Sequence, residues 1–229
     1  AIFAGLMPLA IDKLMPNKWL NDNEEGGKNQ YEEEFLKRLM AQNGKNWKFS
    51  FDKLVRPEQG RRLVDNIQKV YDADFSVIIY NFLDILSHAR TETDIIRELT
   101  EDDAAFRSLT RSWFEHSDLY TILKLLSERG HTVVITSDHG YAATGYFPDA
   151  DGEVVAHLKQ TFSSGRSKAG NGDTGPFVPP VALQIDSPHG AHLLALGRRK
   201  WRSQGGYPTL THGGLSLLEV LSPFVELSK

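Results

Sequence analysis

The chain has no cysteine. Disulfides, thiolate metal ligands and a cysteine nucleophile are therefore excluded, so any metal site must use oxygen and imidazole nitrogen. Long apolar runs are missing too. No stretch approaches the ~20 residues a membrane helix requires, so no membrane insertion is expected. Basic charge is not in excess: the formal net charge is -4 with eight histidines counted as neutral. A protein that holds nucleic acid by bulk electrostatics is normally basic, which disfavours that class. A small phosphate ester stays open as a ligand, because bound metal would reverse the local sign. The opening AIFAGLMPLAIDKL lacks the basic region of a signal sequence and continues into an amphipathic pattern. The first residue is Ala1 rather than Met, which suggests processing or the tail of something longer. The expected location is the cytoplasm.

What is present is an ordinary globular composition. The 229 residues are 40% hydrophobic and 24% charged, enough for one large domain or two small ones. Residues 1–15 read as the end of a helix stopped near Pro16. Residues 21–30, NDNEEGGKNQ, read as a loop, and YEEEFLKRLM as an amphipathic helix. GRRLVDNIQKVYD repeats the helical pattern, and FSVIIYNFLD is a β-prone run. A helix is expected to start near Thr100 behind a threonine cap, and another, DLYTILKLLSERG, to end at Gly130. HTVVITS then reads as a buried strand. Strand, long helical stretch, strand is the signature of a parallel sheet with crossovers. The stretch from Tyr141 to Pro180 is rich in Gly, Pro, Ser and Asp and reads as long loops with one hairpin. VALQI and HLLAL are short strand candidates, and SLLEVLSPFVEL mixes helix and strand character.

Acids and bases gather where strands are expected to end. Asp84 closes one strand and His88 follows four residues later, a spacing that shares a face if the chain turns helical. Asp138 and His139 stand side by side after the next strand. His212 precedes Gly213 and Gly214. In open parallel sheets, sites form beyond the carboxyl ends of the strands, so these clusters should share a crevice. Carboxylate oxygen and imidazole nitrogen bind Zn²⁺ at about 2.0–2.2 Å. Two such ions, about 3.5–4 Å apart, would stabilise the attacking and leaving oxygens of a phosphoryl displacement. Gly140, Gly213 and Gly214 would let the backbone approach a ligand closely. Arg90 could meet a phosphate bidentately, with a helix-surface or ion-paired role as the alternative. Arg107 and Arg111 read as structural, and Trp113, Phe114 and Trp201 as core or loop anchors. His116, His131, His157, His189 and His192 carry no ligand pattern.

AIFAGLMP, WLNDNEEGGKN, YNFLDILSHARTE, RSLTRSWFEHS, VVITSDHG and THGGLS resemble the corresponding stretches of PglZ domains, a branch of the alkaline phosphatase superfamily. The likeness is nearest to the output domains of PorX-type response regulators and weakens from Tyr141 to about Pro208. The resemblance implies a three-layer α/β/α sandwich on a mostly parallel sheet, spanning residues 1–229 with a loop-rich insertion at about 141–208. It implies two Zn²⁺ ions, one held by Asp84, His88 and His212 and one by Asp138 and His139. The nucleophilic threonine and an early aspartate of relatives fall upstream of Ala1, with a central strand. Thr91, Thr110, Thr136 and Thr211 do not sit in the matching context.

The implied activity is a zinc-dependent phosphohydrolase, a phosphodiesterase on oligonucleotide or cyclic-nucleotide substrates, serving as output domain of a PorX-type regulator of type IX secretion. The alternatives are a regulatory partner- or nucleotide-binding module with little catalysis, and the PglZ component of a phage-defence system. A phosphate-ester small molecule or short oligonucleotide is the expected substrate. A homodimer, an upstream receiver domain and signalling partners stay open.

Overall fold

The computed structural model describes residues 1–18, 29–82, 86, 93–100, 102–147, 152–161, 165–169, 182–187, 190–195, 197–202 and 210–228. The chain divides into two compact units, Ala1–Asp52 with Gln68–Ile78 and Asp186–Gly190, and Lys53–Ile67 with Ile79–Ile185 and Ala191–Lys229.

The first unit opens on a 3-10 turn, Ile2–Ala4, and helix α1, Pro8–Leu14. Pro8 starts α1, where its missing N–H costs nothing, and Pro16 follows its end as expected. Helix α2, Glu32–Gln42, carries Glu32, Glu33 and Glu34 in its first turn, where the positive end of the helix dipole favours acids. Ala4, Ile11 and Phe35 form the core, with Phe3, Leu6, Met15 and Tyr31 packed against it. Most of the expected 21–30 loop lies outside the described residues.

Strands β1, Phe49–Leu54, and β2, Phe75–Tyr80, pair in a two-stranded sheet. Asp74 before β2 bonds Lys48 before β1, and Asn81 after β2 bonds Leu54 at the end of β1. Both strands therefore run the same way. Helices α3, Pro57–Asp65, and α4, Gln68–Tyr71, form the crossover between them. This is a β-α-β unit, but not the expected one: the crossover read from the sequence ran from FSVIIYNFLD to HTVVITS, and those two strands do not pair among the described residues.

In the second unit, α5 is Asp94–Leu99 and α6 is Asp103–Glu115. The cap of α6 is Asp102, whose side chain accepts from the Ala105 N–H at 2.7 Å. Thr100, expected to be the cap, is instead buried, with its hydroxyl bonded to the Ile96 carbonyl. Helix α7, Asp118–Glu128, is capped by Ser117 and buries Ile122 and Leu126. Strand β3, Val133–Thr136, follows and pairs antiparallel with β11, Phe224–Leu227. The sequence reading expected β3 to be buried, yet Val134 is 46% and Ile135 37% exposed. Among the described residues its one strand neighbour is β11, which lies beside it in the sheet and covers neither face.

The stretch read as loops contains regular structure. Strands β4, Ala142–Ala143, and β5, Gly145–Tyr146, precede helix α8, Gly152–Thr161, and strand β6, Ser167–Ala169. Strands β7, Ala182–Ser187, and β8, Gly190–Ala195, match the VALQI and HLLAL candidates and join β6 in the order β6-β8-β7. Strand β9, Arg199–Lys200, runs parallel to β5. Phe147, Val154, Leu158, Leu193, Ala195 and Trp201 close into one buried cluster. Strand β10, Leu210–Thr211, and helix α9, Leu217–Val220, complete the unit.

Candidate metal centre

Beyond β3 the chain turns sharply. Ser137 donates its hydroxyl to the His139 carbonyl at 2.8 Å. Gly140 donates its N–H to the Glu219 carbonyl at 2.9 Å. A Cβ on Gly140 would fall 2.0 Å from the Leu218 carbonyl oxygen, so the turn can lie this close to α9 only as glycine. The sequence reading had this space serving a ligand, but the protein's own backbone fills it.

Asp138 and His139 leave this turn with their side chains 73% and 30% exposed, and Asp138 Oδ1 stands 3.7 Å from His139 Nε2. Two donors on one tetrahedral zinc would stand about 3.3–3.6 Å apart, given bonds of about 2.0–2.2 Å. The observed spacing is close to that. His139 Nδ1 lies 3.1 Å from the Gly140 carbonyl oxygen. That contact favours the proton on Nδ1 and leaves the Nε2 lone pair for a ligand.

The second histidine arrives on β10, which runs antiparallel to β4 with Thr211 opposite Ala142 and Leu210 opposite Ala143. That register carries His212 to the level of Tyr141. The His139 and His212 rings stack with centroids 4.2 Å apart and planes at 16°. Tyr141 meets both edge-on, at 5.2 and 5.5 Å. The Thr144 and Thr211 hydroxyls bond at 3.0 Å, tying the ladder beneath the rings.

His212 is thus brought to the adjacent Asp138 and His139, although it lies far from them along the chain. Asp84, His88 and Arg90 lie outside the described residues. Among the described residues no group of three His, Cys, Asp or Glu side chains is arranged to hold an ion by itself. The donor types and spacing at Asp138 and His139 fit zinc, and a complete site needs further ligands. The remaining candidates sit in structural roles. Arg111 pairs with Glu115 on an exposed helix face at 2.8 Å. Trp113 stacks on Phe82 at 3.4 Å, and Trp201 is fully buried. The Thr110 hydroxyl is bonded to the Phe106 carbonyl at 2.8 Å.

Behind the histidines lies a pair that sequence reasoning did not single out. The Arg166 and Glu219 side chains are 2% and 1% exposed. Arg166 donates from Nε to Glu219 Oε1 at 2.9 Å and from Nη2 to Oε2, a bidentate pair. It also donates to the Gly197 carbonyl at 2.8 Å and to the Arg199 carbonyl. Glu219 in turn accepts the Gly214 N–H at 3.1 Å, the Ser216 N–H at 3.1 Å and the Ser216 hydroxyl. Burial pushes the Glu219 carboxyl up, but hydrogen bonds from Arg166 and Ser216 outweigh it and hold the carboxyl below its ordinary value. One signal was legible: Ser216 and Glu219 have the S-x-x-E spacing of a capping box, and the box forms. Arg166 had no such signature, because its partner is 53 residues away.

Over residues 1–227 the chain matches the family described as the BREX system PglZ alkaline phosphatase-like domain. The chain belongs to the PglZ family. Its fold is therefore of the α/β class, and its role phosphohydrolase-like or that of a defence-system PglZ component. No curated protein matches this chain at a significant level. None of its helices among the described residues is long and apolar enough to cross a membrane.

Proposed function

We propose that this PglZ domain is a zinc-dependent phosphohydrolase acting on phosphodiesters, oligonucleotide or cyclic-nucleotide, within a three-layer α/β/α sandwich. The observation that carries this reading is the stacking of His139 on His212 beside Asp138, in a chain of alkaline phosphatase-like family. Asp138 and His139 would hold one ion. His212, with Asp84 and His88, would hold the other. When bound, the two ions would supply Lewis acidity at the attacking and leaving oxygens of a phosphoryl displacement. The chain's own residues orient that chemistry. The Gly140 carbonyl holds the proton of His139 on Nδ1, Tyr141 walls both rings, and Arg90 would clamp the phosphate bidentately.

The quoted sequence stretches support a PorX-type output module in type IX secretion. The family's description favours a second setting, a BREX defence system. The test is hydrolysis of a chromogenic phosphodiester and a chromogenic phosphomonoester by a protein that carries residues 1–229 together with the upstream threonine the resemblance implies, stripped with a chelator and then resupplied with zinc. Zinc-dependent hydrolysis with the diester preferred is expected. Equal activity in the stripped and reloaded chain would overturn the metal mechanism. Zinc binding without turnover would favour the regulatory binding module instead.

A further inference from the structure

We infer that Glu219 is the positioning residue of this site, holding the turn of His139 with its backbone and the loop of His212 with its side chain. The β10–β4 ladder brings the two histidines to one level, but each ring hangs on a turn or loop beyond the paired residues, and those need fixing too. Both segments meet at Glu219. Its carbonyl accepts the N–H of Gly140, next to His139. Its carboxylate accepts the N–H groups of Gly214 and Ser216, just past His212. The carboxylate is itself held by the buried guanidinium of Arg166, which is anchored to the carbonyls of Gly197 and Arg199. A Cβ on Gly214 would fall 2.1 Å from Arg166 Nη2, so the loop lies directly on this latch. A buried carboxylate with all these donors has few other positions available, and the rings it sets are stacked at 4.2 Å.

An ion pair that merely stabilises the fold would look similar, and two double variants separate the roles. Arg166→Met with Glu219→Gln removes both charges but keeps one acceptor oxygen, which can take the Gly214 N–H or the Ser216 N–H of the loop. Arg166→Met with Glu219→Leu removes the charges and the acceptor. The readout is the ring-proton chemical shifts of His139 and His212 in the metal-free chain, with circular dichroism as the check on folding. The stacked-ring shifts should survive in the Gln variant and move to those of an isolated imidazole in the Leu variant. Cobalt(II) affinity should fall at least tenfold in the Leu variant only. Matching shifts in the two double variants would overturn the inference. Should the Leu variant fail to fold, Glu219→Asp keeps the charge but shortens the reach. It should displace the His212 signals, and unchanged signals there would also overturn the inference. Only the cobalt arm rests on the proposed metal chemistry. A wild-type chain that binds no cobalt would sink that chemistry, while the ring shifts would still decide the role of Glu219.

Discussion

Arg166 and Glu219 concentrate the largest single-residue effects. Arg166→Met alone leaves a carboxylate buried without its counterion, a change that costs about 3–5 kcal/mol; urea unfolding at neutral pH should read it. The same pair gives an acid limb. The folded carboxyl of Glu219 sits below its ordinary 4.5. Its stabilisation is therefore complete above about that pH and is lost as pH falls through the depressed folded value. Arg166 and Ser216 face it as hydrogen-bond donors. Unfolding midpoints between pH 6 and pH 3 should fall more steeply in wild type than in the Arg166→Met, Glu219→Gln variant; parallel curves would count against the pairing. Lys200 gives a basic limb of opposite origin. Burial, then Arg202 and Arg166, lowers its pKa to about 8 from 10.5. Between those values the unfolded chain keeps a proton that the folded chain has lost, so stability should rise with pH there. Lys200→Met should abolish that rise, measured by urea midpoints at pH 7.5 and 10.

The elements show what patterning can and cannot reveal. Helices α2, α6 and α7 were legible from their apolar period and first-turn acids, although the cap of α6 is Asp102 and not Thr100 and the one helix read over GRRLVDNIQKVYD is divided into α3 and α4; β2 and β3 were legible because β-branched runs stand out. Helix α8 was hidden by the glycine-, proline- and serine-rich stretch around it. Its signal was Val154 and Leu158, four apart and both buried. Strands β4, β5, β9 and β10 are two residues each, too short for any period to register. Yet the β10–β4 ladder is what brings His212 beside His139, so half of the site's geometry was invisible locally. Adjacent Asp138 and His139 were legible as one half. The cluster around α8 should be a stability centre. Trp201→Ala is expected to cost about 3–5 kcal/mol and Leu158→Ala about 2–5 kcal/mol, both checked by the urea midpoint. Losses under about 1 kcal/mol would mean that this cluster is not a packed core.

For the molecule as a whole, family membership over residues 1–227 gives an alkaline phosphatase-like domain, and the proposed metal chemistry rests on the stacked histidines of the second unit. Anything that binds the folded chain and not the unfolded one raises its melting temperature with concentration. Zinc should therefore stabilise the chelator-stripped chain in a dose-dependent way. The most direct test of the central claim is zinc bound per chain, by elemental analysis after equilibrium dialysis, in wild type and in the His139→Ala, His212→Ala double variant. The account predicts bound zinc in wild type and its near-complete loss in a double variant that remains folded. Equal zinc in the two proteins would contradict it.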